Sequence, residues 1–358
     1  MKIKKIEKLA SAFVDPFSGV SFAKTKAVKS IEHIGDKVIV SIELGYPVAK
    51  AQTVLKNAFK KYWAEHCPDT PVEMNISWKV YPRQVQSSLA PIPNIKNIIA
   101  IASGKGGVGK STTAVNLALA LQQEGAKVGL LDADIYGPNQ PLMLGAEKAR
   151  PKIEDKKFIP VEVLDLSTMS IGYLIDPNKA AIWRGPMVSG ALLQMLNDTR
   201  WPELDYLILD LPPGTGDIQL TMAQKVPVSA AVIVTTPQTV ALQDAQKGIA
   251  MFNKVNIPVL GVIENMAYYL CSHCGEKDYL FGQAGGQEMA KKNKLALLGE
   301  IPLNRQIREQ ADSGLPIILA KPASDLADAY RQTANHISAK LSLQSRSYAA
   351  KFGSIRVE

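Results

Sequence analysis

A glycine-rich octapeptide at residues 104–111, GKGGVGKS, constrains this chain of 358 residues more than any other stretch. It matches the pattern G-x-x-x-x-G-K-[ST] of a phosphate-binding loop. The apolar run NIIAIAS precedes it, and KSTTAVNLALALQQEG, with apolar residues at helical spacing, follows it. A strand, such a loop and a helix in that order predict a nucleotide site at the edge of a sheet.

After residue 97 the chain alternates short apolar runs with helical stretches. The runs predicted as strands are KVGLLDAD, DYLILDLP, AAVIVTTP, PVLGVIENM and ALLGEIPL. Continuous apolar strands between helices are typical of a parallel sheet that is covered on both faces. The sequence therefore predicts an α/β fold, a P-loop NTPase with a mostly parallel sheet covered by helices.

The first part of the chain has a different pattern. KVIVSIEL and PVEMNISWKV are predicted strands, and AKAQTVLKNAFKKYWAEH between them is a predicted helix. The polar, proline-containing run that follows has no apolar period and is predicted to be a linker. The predicted organisation is a small α+β domain at 1–81, a linker at 82–96, an ATPase domain at 97–344 and a tail at 345–358.

Composition narrows the functional classes. Hydrophobic residues make up 46% of the chain, the net charge is +8, and there are three cysteines. No apolar run reaches the length of a membrane span, the N-terminus does not read as a signal peptide, and three cysteines are too few for a secreted disulfide scaffold. The basic residues are scattered. We therefore expect a cytoplasmic protein with neither nucleic acid nor membrane as a partner.

The loop residues have predicted roles toward ATP. Glycine amides approach the phosphates, Lys110 reaches the β- and γ-phosphates, and Ser111 binds Mg²⁺. The predicted nucleotide-binding residues of this segment are Gly104, Lys105, Gly106, Gly107, Val108, Gly109, Lys110, Ser111 and Thr112.

Two further predictions concern carboxylates at strand ends. Asp210 ends YLILD, the Walker B position, and is predicted to hold Mg²⁺, through water. LDADIYGPN ends another strand with Asp132 and Asp134, one of which could orient the attacking water. The alternative for either member of that pair is a loop or helix cap.

A cysteine pair forms a second candidate site. Cys271 and Cys274, in CSHCG, have the C-x-x-C spacing that lets both sulfurs bind one metal centre. From the residues alone, a metal site, a thiol–disulfide pair and a structural pair all remain open. Cys67 is predicted to be a partly buried small residue.

The segment GKGGVGKST, with a lysine directly after its first glycine, resembles the deviant Walker A motif of dimeric ATPases. LDADIYGPN, WRGPM, LDLPPGTGD, GVIENMA and CSHCG are similar to the Mrp/ApbC-type iron–sulfur cluster carriers within that class. The resemblance implies a homodimer in which Lys105 reaches the partner's nucleotide. It also implies that Asp134 positions water and that Asn265 hydrogen-bonds adenine. Catalysis would then fall to Lys105, Lys110 and Asp134.

The same resemblance implies an iron–sulfur cluster, [4Fe–4S], bridged between two chains at Cys271 and Cys274 and passed to apoproteins. One chain offers two thiolates, whereas such a cluster or a zinc ion usually takes four protein ligands. A C₂ dimer would supply the other two. The N-terminal part resembles the small domain of bacterial members, but IELGYPVAK lacks the cysteine that this domain usually carries.

The predicted function is therefore an ATP-hydrolysing iron–sulfur cluster carrier, whose partners are apo iron–sulfur proteins and cluster assembly factors. The alternatives are a positioning or partition-type ATPase acting on DNA or membrane, and an ATPase with a structural zinc at the C-x-x-C. The positioning class leaves the cysteine pair unexplained. An electron-transfer reductase like the nitrogenase iron protein fits less well, because its bridging cysteines lie far apart in sequence.

Overall fold

A computed structural model of the chain describes residues 3–175, 185–271 and 273–347. Its strands form a sheet of three in the N-terminal part, a sheet of nine in the ATPase part and a separate two-stranded hairpin. Three segments that the sequence analysis uses lie partly outside the described residues: Trp183 and Arg184 of WRGPM, Ser272 of CSHCG and residues 348–358 of the tail.

The N-terminal part is the small α+β unit that the sequence predicts. Its elements are α1 (Ile3–Ala12), α2 (Phe22–Thr25), β1 (Val28–Ile34), β2 (Lys37–Leu44), α3 (Gln52–His66) and β3 (Val72–Trp78). The central strand β2 alternates half-buried and buried residues, pairs antiparallel with β1 and parallel with β3, and so places one face on the core. Strand β1 was not predicted, since most of its side chains are exposed and its sequence lacks an apolar alternation.

The first half of the ATPase part runs from the phosphate loop to a set of short strands. Its elements are β4 (Ile98–Ala102), α4 (Lys110–Gln123), β5 (Val128–Asp132), α5 (Gln140–Met143), β6 (Lys152–Glu154), β7 (Lys157–Ile159), β8 (Val161–Val163), β9 (Leu166–Ser170), the 3₁₀ turn Ile171–Tyr173 and α6 (Gly185–Asp198). The strands β6 to β9 were not predicted, because β6, β7 and β8 are only three residues long and partly exposed.

The second half alternates strands and helices almost as the sequence predicts. Its elements are β10 (Tyr206–Asp210), α7 (Asp217–Lys225), β11 (Ala230–Thr235), α8 (Thr239–Lys254), β12 (Val259–Leu270), β13 (Lys277–Asp278), α9 (Gly285–Lys292), β14 (Ala296–Leu303), α10 (Arg305–Asp312), α11 (Ile317–Ala320) and α12 (Asp325–Ser342). Strand β12 continues four residues beyond the predicted end at Met266 and leads directly into the cysteine pair.

The nine-stranded sheet confirms the α/β fold. Its strands follow the order β13-β12-β11-β4-β10-β5-β9-β8, and β14 also pairs with β12. All pairings from β12 to β9 are parallel, whereas the edge strands β13 and β8 are antiparallel to their neighbours. Every residue of β4, β5, β10 and β11 is buried, and two apolar clusters cover the two faces of the sheet. Among the helices of the described residues, none is long and apolar enough to cross a membrane.

The segment predicted as a linker packs against the ATPase part. The backbone N–H of Arg83 donates to Oδ1 of Asn97 at 3.0 Å, and Gln86 donates from Nε2 to the carbonyl oxygen of Ala223 at 2.9 Å. Helix α12 also contributes Ala339 to the core of the N-terminal unit. The two parts of the chain therefore share a packed seam.

Glu124, at the C-terminal end of α4, caps a helix of the other unit. Its Oε2 accepts the backbone N–H groups of Lys50 and Ala51 at 2.8 and 3.0 Å, just before α3, where no side chain of the N-terminal unit caps the helix. Its Oε1 accepts Nδ2 of Asn335 at 3.2 Å. A negative charge at a helix N-terminus satisfies amides that have no partner within the helix.

We expect Glu124→Ala to weaken the docking of α3 by about 2 kcal/mol, because two charge-assisted hydrogen bonds are lost. Amide hydrogen exchange at Lys50 and Ala51 would measure the change as faster exchange in the variant. Glu65→Ala, at an exposed position of the same helix, is the matched control. Equal protection of both amides in Glu124→Ala and Glu65→Ala would contradict the capping role.

Candidate nucleotide site and cysteine turn

The strand order brings three loops to one edge of the sheet. Strands β4, β10 and β5 are neighbours, and the register places Asp210 beside both Ile101 and Asp132. Because the three strands are parallel, the phosphate loop after β4 and the two aspartates meet at the same edge. Ligands of open α/β sheets bind at this end of the strands.

The phosphate loop needs its glycines for two reasons. Gly107 and Gly109 have φ values of 81° and 80°, in the left-handed region that glycine adopts readily. A Cβ on Gly104 would lie 2.1 Å from the backbone carbonyl carbon of Asp244 in α8, and one on Gly109 would lie 2.1 Å from Nδ2 of Asn265. A side chain at either position would displace the loop.

Lys110 and Asp210 form a buried ion pair at the base of the loop. Nζ of Lys110 lies 2.5 Å from Oδ1 of Asp210 and 3.1 Å from Oγ of Ser111, and the lysine side chain is 6% exposed. Asp210 is thus the counter-ion of Lys110 in this structure. A nucleotide phosphate would compete for Lys110, which would free an oxygen of Asp210 for a metal ion.

Gln140 completes this cluster and was missed by the sequence analysis. Its Nε2 donates to Oδ2 of Asp210 at 2.8 Å and to the carbonyl oxygen of Ser111 at 3.0 Å, and its backbone N–H donates to Oδ2 of Asp132 at 3.2 Å. No motif marks it, because it begins a helix of only four residues and a glutamine is not itself diagnostic of a site. Its contacts with Asp210, Ser111 and Asp132 are visible only in the folded chain.

The oxygen atoms gathered here suit Mg²⁺. The hydroxyl of Ser111 and the carboxylate of Asp210 are hard ligands, and Oε1 of Gln140 is buried without a hydrogen-bond partner in the described chain. An unpartnered buried oxygen is costly unless water or a hydrated ion reaches it. The residues at this position therefore fit a partly hydrated magnesium ion.

The structure separates the two aspartates after β5. Asp132 is fully buried and accepts hydrogen bonds from the backbone N–H of Asp134 and from Oγ of Ser170, so it caps the loop. Burial and the nearby charge of Asp210 raise its pKa. Asp134 is half-buried, and burial also raises its pKa while the charge of Lys110 opposes the shift. Of the two, Asp134 is accessible to a water molecule.

Lys105 and Asn265 make different contacts at the loop. Lys105 is half-buried, Oγ of Ser103 donates to its carbonyl oxygen at 2.9 Å, and its ammonium group forms no ion pair with the described residues. Asn265 lies within β12 rather than in a turn, and its Nδ2 donates to the carbonyl oxygen of Val108 at 2.8 Å. Asn265 therefore braces the loop from the neighbouring strand.

Cys271 and Cys274 lie in the tight connection between β12 and β13. The backbone N–H of Cys271 donates to the carbonyl oxygen of Glu276, and that of Gly275 donates to the carbonyl oxygen of Cys271, both at 2.9 Å. The amides of Cys274 and His273 hydrogen-bond the Cys271 sulfur and lower the pKa of its thiol. Cys271 is half-buried and Cys274 is exposed, and neither forms a disulfide.

The turn supplies a pair of sulfur ligands and no complete metal centre. Within the described part of the chain, no group of three or more His, Cys, Asp or Glu side chains could hold a metal ion. A turn that aims amides at one sulfur favours the thiolate, which is the form that binds metal. Two exposed or half-buried thiols at a hairpin tip are open to ligands from another molecule.

The comparisons with known proteins agree with this geometry. The sequence model of the family described as "ParA: NUBPL iron-transfer P-loop NTPase" matches residues 94–338. The chain belongs to this NUBPL family. An "Iron-sulfur cluster carrier protein" from Pseudomonas fragi is 56% identical over 264 residues, 73% of this chain and 92% of the relative. A protein of the same name from Haemophilus influenzae is 42% identical over 338 residues, 94% of this chain and 91% of the relative.

Solved structures support the assignment of the fold. A nucleotide-binding protein of Archaeoglobus fulgidus, in complex with ADP, has 38% identity and a TM-score of 0.58, and the match covers 66% of this NUBPL-family chain and 93% of that protein. The cell division ATPase MinD of Pyrococcus furiosus has 25% identity and a TM-score of 0.51, over 67% of this chain and 98% of that one. The P-loop NTPase fold predicted from the sequence is therefore confirmed.

We expect Gln140→Met to raise the Mg²⁺ concentration for half-maximal ATP turnover by about tenfold, because Asp210 and Ser111 lose a shared hydrogen-bond donor. Methionine has about the same side-chain length and volume as glutamine. If Gln140 had only a structural role, the substitution would change the stability of the protein and leave its Mg²⁺ dependence unaltered. Asn139→Ala, at the exposed neighbouring position, is the control. An unchanged Mg²⁺ dependence in Gln140→Met would show that Gln140 does not position the site.

Proposed function

We propose that this chain is an ATP-hydrolysing carrier of iron–sulfur clusters, which takes up a cluster at Cys271 and Cys274 and transfers it to apoproteins. The observation that carries the proposal is the exposed cysteine turn at the end of β12, the strand that also braces the phosphate loop through Asn265. Membership of the NUBPL family and relatives named as cluster carriers support it.

The residues around the loop account for ATP binding and hydrolysis. The amides of residues 104–112 would hold the phosphates, and Lys110 would neutralise the β- and γ-phosphates. Asn265 braces the loop through its Nδ2, and its Oδ1 would accept a hydrogen bond from adenine. Mg²⁺, held by Ser111 and through water by Asp210, would supply positive charge at the phosphates. Asp134 would orient the attacking water. Turnover by such a site is slow and acts as a switch.

Lys105 supports the proposal that the complete ATPase is a homodimer. Its ammonium group has no acidic partner within the described residues, and it stands at the start of the loop. We propose that it crosses to the nucleotide of a second copy, where it stabilises phosphate charge only when two chains close. The exposed apolar side chains of Tyr136 and Val240, on segments next to the loop, would be covered in the same contact.

The homodimer would also complete the cluster site. Two thiolates from each chain give the four ligands that a [4Fe–4S] cluster takes. Tyr279 and Leu280, which follow β13, are exposed apolar side chains beside the turn and suit contact with a second chain or with an apoprotein. A cluster held at such a seam is accessible and divided between subunits, which favours release to apo iron–sulfur proteins or uptake from assembly factors. Thiols of this kind need a reducing compartment, so we place the carrier in the cytoplasm.

A structural zinc ion at the same cysteines is the competing function. The amide-supported Cys271 sulfur would suit zinc as well as iron, since both bind thiolate. A structural zinc site and a shared cluster site differ in the number of ligands that one chain must supply. A structural zinc site is normally closed by four protein ligands, and the described chain gathers only the cysteine pair at this turn.

We expect anaerobic reconstitution with iron and sulfide to load about four irons per two chains, with the absorption of a cluster. The double variant Cys271→Ala with Cys274→Ala should bind none, because both thiolates are gone. Cys67→Ala, at a buried position of the N-terminal unit, should load like the parent chain. A cluster in the double variant, or tightly bound zinc that iron does not replace in the parent chain, would refute the carrier.

We expect Lys105→Ala to change the affinity for ATP by no more than a few-fold but to lower ATP turnover by roughly a hundredfold or more. The reason is that the variant loses a positive charge that each chain supplies to the site of its partner. Asp134→Ala should be inactive for a different reason, the loss of water orientation. An equal mixture of the two variants should recover about a quarter of parental turnover, since each mixed dimer keeps one complete site. No recovery on mixing would argue against an exchange of Lys105 between chains.

A further inference from the structure

A polar cavity of about 320 Å³ lies at the seam between the N-terminal unit and the ATPase part. The loop around the end of α2 contributes Lys24 and Lys26 to one wall, and the chain from Tyr81 to Arg83 forms part of another. The segment after α12 closes it with Arg346. None of the phosphate-loop residues lines this cavity, so it is separate from the nucleotide site.

Arg83 is the most unusual group of the cavity. Its side chain is only 4% exposed, yet among the described residues no carboxylate forms an ion pair with it. Among the described residues, its side chain donates one hydrogen bond, from Nη1 to the carbonyl oxygen of Gln344 at 2.8 Å. A Cβ built on Gly45 would lie 3.4 Å from Nη2, so the glycine leaves room beside the guanidinium. A buried cation without a counter-ion is costly, which indicates that an anion normally reaches it.

The acidic residues of the cavity wall do not serve as that anion. Asp15 accepts hydrogen bonds from the hydroxyl of Tyr46 at 2.9 Å and from the backbone N–H of Phe17 at 3.0 Å. Glu43 pairs with Lys29 at 3.3 Å. Both carboxylates are therefore engaged with other groups on the side of the N-terminal unit.

The remaining cations of the wall add to the positive charge. Lys24, Lys26 and Arg346 form no ion pair within the part of the chain that the structure describes. The guanidinium carbon of Arg346 lies 3.7 Å from the centre of the Tyr81 ring, which holds this side chain at the rim of the cavity. Burial, together with the like charge of Arg346, lowers the pKa of Arg83. Apart from Lys29, which pairs with Glu43, the cavity thus combines one buried and three peripheral cations.

We propose that this cavity binds a small phosphate compound, a phosphate monoester or inorganic phosphate, with its oxygens on Arg83 and with Lys24, Lys26 and Arg346 around it. A guanidinium fork surrounded by flexible ammonium groups matches a dianion with three free oxygens better than it matches a single carboxylate. The volume is at the lower end of the range of small-ligand pockets, roughly 300–1,000 Å³.

Binding at this place would tie the two units together. Lys24 and Lys26 belong to the N-terminal unit, whereas Arg83 and Arg346 are attached to the ATPase part through Asn97 and the end of α12. An anion shared between them replaces like-charge repulsion with attraction across the seam. Helix α12 also packs along α4, the helix that begins at Lys110, so the ligand would stabilise an element in contact with the nucleotide site.

Isothermal titration calorimetry with inorganic phosphate tests the proposal. The titrations use the full chain with Lys110→Ala and with EDTA present, so that the phosphate loop and Mg²⁺ do not contribute. Ionic strength is kept constant with sodium chloride, because exposed lysines attract any anion weakly. We expect saturable binding of one phosphate per chain.

Substitutions in the same background identify the site. Arg83→Gln should weaken phosphate binding by roughly tenfold or more, as expected for a lost charged hydrogen bond. Since Arg83 is buried and its substitution could affect folding, the exposed pair Lys24→Gln with Lys26→Gln provides an independent variant, with an expected weakening of about threefold to tenfold. The pair Lys60→Gln with Lys61→Gln, exposed on α3, is matched in charge and should bind like the parent chain.

Three results would overturn the proposal. The first is the absence of saturable phosphate binding in the Lys110→Ala chain. The second is binding that Lys24→Gln with Lys26→Gln leaves unchanged, or that the Lys60 and Lys61 pair weakens as much. The third is binding of succinate, at the same ionic strength, as tight as that of phosphate, which would show a site for carboxylates instead.

Discussion

The buried ion pair between Lys110 and Asp210 is the interaction on which the site depends. A lysine at the first position of a helix, held in the interior, needs a counter-charge, and Asp210 supplies it from the neighbouring strand at 2.5 Å. Removing either partner would leave an uncompensated buried charge. The same need suggests how the proposed site would respond to ATP, since a phosphate could replace the carboxylate as the partner of Lys110. Asp210 would then be available to a hydrated metal ion, while Gln140 would keep its second oxygen in place.

Strand β12 connects the two proposed chemistries. Asn265 in this strand donates to the carbonyl oxygen of Val108 in the phosphate loop, and Cys271 follows the end of the same strand. The strand is hydrogen-bonded on one side to β11 and on the other to β14, so it is part of the rigid sheet. In the proposed carrier, a change in the loop would reach the cysteine turn through a short, continuous element. This arrangement gives a physical reason for a nucleotide and a cluster to be bound by one domain.

The sequence predicted the parts of the structure that depend on local pattern. The phosphate loop, the buried strands and helix α4 follow from glycine spacing and apolar periodicity, and the fold they predicted is the one observed. It did not predict Gln140, Glu124 or Arg83. Each of these residues is important because of a contact made across the fold. Gln140 and Asp210, and likewise Glu124 and Ala51, are 70 or more residues apart in the sequence. No motif or spacing marks these residues in the sequence. Short strands such as β8 were missed because three residues cannot display a period.

Side chains of the ATPase part contribute to the structure of the N-terminal unit at the seam between them. Glu124 places a negative charge at the start of α3, while Ala339 of α12 completes the apolar core of the N-terminal unit. These contacts stabilise docking, but Arg83 introduces a cost in the same region, since it is buried without an ion pair among the described residues. A chain selected only for rigid docking would be more stable with an apolar residue there. The presence of a buried cation beside a cavity is consistent with the proposed anion site, in which a bound anion would stabilise the seam between the N-terminal unit and the ATPase part.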